Sequence, residues 1–145
     1  MSLVIAYTPK HFVAQEFLPR QIYEDLERAG TLWKAWLLID ERLLRFSDAA
    51  REHFGVLTIN NWHTGGSRNE SGLRVPGMAT FKPYTQHSFG RAADHVSPTL
   101  SGDDMRRYVL DHPDEFPTLT AMEQGVAWLH ADVRNCERIA LVNPT

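Results

Sequence analysis

Apolar residues recur at helical spacing through the first third of the chain, then give way to short runs separated by turn-forming residues. In RQIYEDLERAG, which follows Pro19, the residues Ile22, Leu26 and Ala29 share one face. Proline in the first turn and Gly30 just past the last one predict a helix. The next segment, TLWKAWLLIDERLLRFSDAAREHFG, is denser in apolar residues and ends at Gly55. Its period predicts two helices broken near Asp40, with Trp33, Trp36, Leu37, Leu43, Leu44 and Phe54 in the core. The aromatic members of that set read as packing rather than as a cofactor box.

Beyond Gly55 the pattern becomes β-branched and alternating in VLTINNW, which predicts a strand over residues 56–62. Residues 63–86 hold four Gly, two Pro and several Ser, Thr and Asn, the composition of a long irregular segment of the kind that usually carries function. SGDDMRRYVLDH then offers Ser101 as an N-cap with Asp104 three residues on, so a helix is expected that Pro113 stops. From Leu119 onward two strands are expected, VAWLHADV and RIALV, joined by a turn at Arg134 to Glu137. The expected architecture is α+β, a single domain over 1–145 with a mainly helical part at 1–55 and a sheet and site part at 56–145. N-terminal helices pack on a small, mainly antiparallel sheet whose open face carries the site. There is no internal repeat, low-complexity tract or linker.

Composition narrows the function. A chain of 145 residues with 43% hydrophobic and 23% charged residues has the make-up of a folded soluble domain. A formal charge of -3 leaves no basic excess to neutralise phosphates, so nucleic acid is not an expected partner. Cys136 is the single cysteine, which excludes an intramolecular disulfide and a cysteine-rich metal site; any metal must use His and carboxylate. No stretch approaches the roughly 20 apolar residues of a membrane helix, so no membrane insertion is expected. MSLVIAYTPKHF lacks a basic start and a cleavage-like pattern, so synthesis in the cytoplasm without a signal peptide is expected.

Among seven histidines, spacing singles out two. In QHSFGRAADHV, His87 and Asp94 are separated by six residues that include Gly90 and two alanines, small enough for a turn to bring carboxylate and imidazole together. From spacing alone a solvated loop explains this pair equally well. In the last strands Trp128, His130 and Asp132 share one face, while Leu129, Ala131 and Val133 share the other and are expected in the core. His87, Asp94 and His130 together would give one zinc per chain three protein ligands and leave a fourth position for water. His95 and His63 are candidate supporting or transition-state donors. Asp132 could bond a ligand or pair with Arg134, with surface pairing the favoured role. Trp128 is a candidate substrate wall, with core packing as its rival reading.

The local sequence also carries a resemblance. QHSFGRAAD is similar to the S-x-H-x-x-G-x-A-x-D signature of the D-Ala-D-Ala carboxypeptidase and hedgehog superfamily of zinc peptidases, with Gln86 near the leading position. WLHADVR resembles the W-x-H-x-D strand of many phage and bacterial members, and SGLR at Ser71 to Arg74 resembles the S-G-x-R element that precedes the first ligand. The resemblance spans roughly Val56 to Val142. It implies zinc on His87, Asp94 and His130, Arg74 holding a substrate carbonyl or carboxylate, and hydrolysis of peptide bonds in bacterial peptidoglycan. One departure is visible: the position where many members carry an acidic general base is Ala127, and Glu123 is the available upstream equivalent. The implied setting is a phage lytic enzyme that reaches the cell wall after release by a holin or as part of a virion. A non-catalytic metal-binding virion or structural module of the same fold, which Ala127 favours, is the alternative.

Overall fold

Asp40 starts the central helix at the break that the sequence predicts: its carboxylate accepts from the Arg42 amide at 2.9 Å, satisfying a donor that the first turn leaves free. The computed structural model describes residues 6–145. The reading of the N-terminus as lacking a signal peptide falls partly on residues 1–5, outside the described residues. In chain order the helices are α1 (Ala14–Phe17), α2 (Arg20–Arg28), α3 (Glu41–Phe54) and α4 (Gly102–Asp111). The strands are β1 (Ala92–His95), β2 (Ala121–Glu123), β3 (Leu129–Asp132) and β4 (Ala140–Val142). Of the three helices expected in the first part, those at Arg20–Arg28 and Glu41–Phe54 are α-helices, but the segment before Asp40, Leu32–Leu38, is a 3₁₀ helix. With three residues per turn instead of 3.6, it buries only Ala35 and leaves Trp33 and Leu37 exposed, against the expectation that both lie in the core. Leu43 and Leu44 are buried as expected, while Trp36 and Phe54 pack half-buried at the edge of the core. On α2, Ile22 and Leu26 pack against the core, but Ala29 is exposed.

The sheet is mixed, in the order β1-β3-β2-β4, with β3 antiparallel to both neighbours and β4 parallel to β2. Its core face presents Ala93, His95, Met122, Leu129, Ala131 and Val133 to Leu43, Phe46 and Ala50 of α3 and Met105 and Val109 of α4 within one hydrophobic cluster. Ser101 caps α4 through a 3.1 Å bond from the Asp104 amide, and the helix ends before Pro113, both as the sequence predicts. The expected strand at 56–62 is absent. Only Thr58 bridges, to Val96, because the asparagines that follow take up backbone groups elsewhere. Asn60 Oδ1 accepts the Ser71 amide and Asn61 Oδ1 the Arg68 amide, which commits this stretch to bracing the irregular loop instead of a sheet. The two terminal strands exist but are shorter than expected, and β1 and β2 are additions. Their alanines give little strand signal by propensity; pairing with β3 makes them strands. Among the described residues no helix is long and apolar enough to cross a membrane.

Candidate metal centre

Antiparallel register builds the site. Across β1 and β3, Asp94 stands opposite His130 and Ala92 opposite Asp132. Across β2 and β3, Ala121 stands opposite Asp132 and Met122 opposite Ala131, a register that carried one step further sets Glu123 beside His130. Asp94, His130 and Glu123 thus form a row across three strands on the face turned away from the core, with Ala92, Asp132 and Ala121 as the next row. Glu123 stands seven residues before His130 at the end of β2, across a hairpin and not on a loop entering β3. Gly125 turns in that connection with φ of +75°.

His87 closes the group from the side. It lies in a 3₁₀ turn, Gln86–Phe89, that ends at Gly90 with φ of +68°, a conformation suited to glycine; a Cβ there would also strike the Leu38 carbonyl. One ligand-type atom from each of His87, Asp94 and His130 lies within 4.8 Å of the others, and all three residues are buried. Asp94 Oδ1 is 2.8 Å from His130 Nδ1 and 3.4 Å from His87 Nε2. The atoms facing away are each held. His87 Nδ1 donates to the Gly72 carbonyl at 2.8 Å, Asp94 Oδ2 accepts from Arg74 Nη2 at 3.0 Å, and His130 Nε2 lies 3.1 Å from Asp132 Oδ2. Two imidazoles and a carboxylate converging on one point, each with its distal atom anchored, is a donor set that fits a divalent metal ion.

The SGLR stretch explains itself here. Ser71 accepts the Asp94 amide at 2.8 Å, Gly72 anchors His87, and the Leu73 amide donates to Phe17 at 2.8 Å. Arg74 reaches Asp94 while its Nε donates to the Glu70 carbonyl at 2.7 Å. A side chain at position 72 would run into the backbone of Phe17, so glycine is needed for close approach.

Charge at the site follows from the partners. Burial raises the Asp94 pKa, but hydrogen bonds from His130 and His87 outweigh it and hold the carboxyl far below the usual range. Burial lowers that of His130, yet bonds to Asp132 and Asp94 dominate and push the imidazole up to about 9. Asp132 is shifted down, burial being overcome by Arg134 and His130.

The group lies in the floor of an open cleft of about 820 Å³ whose lining includes Arg74, Glu123, Trp128 and Arg134. Glu123 Oε2 is 3.7 Å from His130 Nδ1. Arg74 lines the cleft but is also tied to Asp94. Trp128 is 36% exposed on the cleft wall, so its core reading does not hold. Asp132 is fully buried and contacts both His130 and Arg134, where surface pairing had been favoured. His95 points to the core face, against Phe46 and Ser47, and His63 does not line the cleft; neither reaches the site as a donor. The residue that pattern reading missed is Arg106. Buried in α4, it donates to the carbonyls of Trp128 (2.6 Å) and Val126 (2.7 Å) and so fixes the β2–β3 connection beside Glu123. Its signal, an Arg at the buried spacing of Met105 and Val109, reads in sequence as a solvated position. Comparison with protein-family models, curated proteins and solved structures gives no match to this chain.

Proposed function

We propose that the chain is a zinc-dependent peptidase that hydrolyses peptide bonds in bacterial peptidoglycan, acting in a phage setting after release to the cell wall or on a virion. The observation that carries this reading is the row Asp94–His130–Glu123 on the floor of an open cleft, with His87 closing the metal group and a carboxylate held next to it. His87 Nε2, Asp94 Oδ1 and His130 Nδ1 would hold the ion, and a set of two imidazoles and one carboxylate suits zinc in a catalytic site. Zinc held there would lower the pKa of a water to about 7 and polarise a carbonyl.

The chain's own residues supply the rest. Glu123 takes the proton of the attacking water on its carboxylate and returns it to the leaving amine. Its position offsets the loss of an acid at Ala127, which is why the hydrolytic reading is preferred to the non-catalytic module. Arg74 orients Asp94 and offers its guanidinium surface to a substrate carbonyl or carboxylate, and Trp128 forms a wall against which a peptide packs. The cell-wall substrate and the phage setting rest on the resemblance of SGLR, QHSFGRAAD and WLHADVR to the D-Ala-D-Ala carboxypeptidase and hedgehog superfamily.

Digestion of purified muropeptides, read by mass spectrometry beside zinc content, tests the proposal. Stoichiometric zinc and cleavage are expected, with Glu123→Gln lowering kcat by about 10²–10⁴-fold while keeping its zinc. Stoichiometric zinc with no cleavage of any muropeptide would instead identify a non-catalytic metal-binding module.

A further inference from the structure

Asp132 is wholly buried and its neighbours across the sheet are Ala92 and Ala121, which offer it no polar group. Its partners among the described residues are on its own strand and just beyond. Oδ2 meets His130 Nε2 at 3.1 Å, and Oδ1 accepts from Arg134 Nε at 2.8 Å and from the Arg134 amide at 3.2 Å. Arg134 Nη2 binds Oδ2 as well, so the guanidinium grips the carboxylate through both oxygens. A carboxylate without a proton is an acceptor only, so the nitrogen facing it must carry hydrogen. Nδ1 faces a carboxylate too, Asp94 Oδ1 at 2.8 Å, but that oxygen belongs with His87 to the candidate metal group, so Nδ1 is the nitrogen whose hydrogen a metal ion would replace.

We propose that Asp132, clamped by Arg134, is a positioning residue that selects the Nε2–H form of His130 and aims its Nδ1 at the metal. The inference rests on the metal reading of His87, Asp94 and His130 above and extends it to two residues outside the ligand set. The clamp has two parts. The carboxylate fixes which nitrogen is protonated and makes the ring a stronger donor, and the two-toothed guanidinium stops the carboxylate from rotating away. Strand alternation explains the spacing: residues 130 and 132 share a face, so the clamp comes from the same strand as the ligand. Asparagine at 132 would keep the shape but lose the charge, and could turn its amide nitrogen toward the ring and favour the opposite tautomer.

The test is zinc affinity, measured by competition with a chromophoric chelator, together with ¹⁵N chemical shifts of the histidine rings in the zinc-loaded protein. Asp132→Asn is expected to weaken zinc binding by about 10–100-fold with the melting profile of the chelated protein largely retained. Arg134→Gln is expected to weaken it less, and Arg134→Lys, which keeps the charge but not the two-toothed grip, to recover only part of the loss. In the wild type the shifts should show the metal on Nδ1 of His130 and hydrogen on Nε2. Wild-type affinity in Asp132→Asn, or a metal on Nε2, overturns the clamp while leaving the zinc site standing. If Asp132→Asn does not fold, the Arg134 pair decides, and unchanged affinity in Arg134→Gln overturns it. A wild-type protein that takes up no zinc overturns the clamp and the metal reading together. Because none of these measurements requires turnover, a failure of the peptidase reading is seen separately, in the muropeptide digest.

Discussion

His95 and His130 sit on paired strands one step out of register, with His95 opposite Leu129 and His130 opposite Asp94. Both are removed from water, at 0% and 2% exposure. Their chemistry is opposite. His95 lies on the core face against Phe46, with Nδ1 donating to the Leu129 carbonyl at 3.2 Å and Nε2 accepting from Ser47 Oγ at 2.9 Å, and burial pushes it down to about 4. His130, on the other face between Asp94 and Asp132, is pushed up to about 9. Depth alone therefore does not set the state of a buried imidazole. Neutral partners satisfy it as part of a core, whereas carboxylates on both sides hold it charged.

The widest separation between the two should come from deleting each. His130→Ala is expected to reduce zinc to substoichiometric levels and peptidase activity to background. His95→Ala should retain one zinc per chain while losing about 2–4 kcal/mol of stability, through a cavity and two unpaired polar groups. Elemental analysis and denaturant melts read both effects; loss of zinc in His95→Ala would show that the two faces are not independent.

A smaller contrast lies in pH. In the chelated protein, native His130 titrates near 9 against 6.5 for an ordinary histidine, so its contribution is full below about 6.5 and is lost as pH rises through about 9. Native His95 titrates near 4, so between about 4 and 6.5 the unfolded chain binds more protons and stability falls as pH drops. Asp94, shifted down, adds to the loss on acidification below the ordinary carboxyl range. Melting temperature of the chelated protein should thus peak between the two arms, and His95→Ala should flatten the acid arm without altering the alkaline one. A monotonic profile from pH 4 to 9.5 would contradict this assignment of charge.

The smallest effect is expected away from both histidines. Trp33, 67% exposed on the 3₁₀ segment, should tolerate Trp33→Ser within about 0.5 kcal/mol. A loss of several kcal/mol would return it to the core.

Periodicity and end signals alone determined the helices at Arg20–Arg28, Glu41–Phe54 and Gly102–Asp111, because amphipathic spacing and end residues such as Gly55 and Ser101 act over a few positions. Strand alternation likewise separated Leu129, Ala131 and Val133 from His130 and Asp132. The candidate metal group of His87, Asp94 and His130 was legible from residue type and resemblance, but the sequence left a solvated loop equally open for His87 and Asp94. What only the tertiary structure decided is pairing. Alanine-rich β1 becomes a strand because β3 lies beside it, and hairpin register brings Glu123 to His130. Residue pattern favours surface pairing for Asp132 and offers His95 only as a candidate site donor. Cross-strand geometry buries Asp132 beside His130 and turns His95 to the core, since hydrogen bonding and charge depend on neighbours that lie up to 48 residues away along the chain.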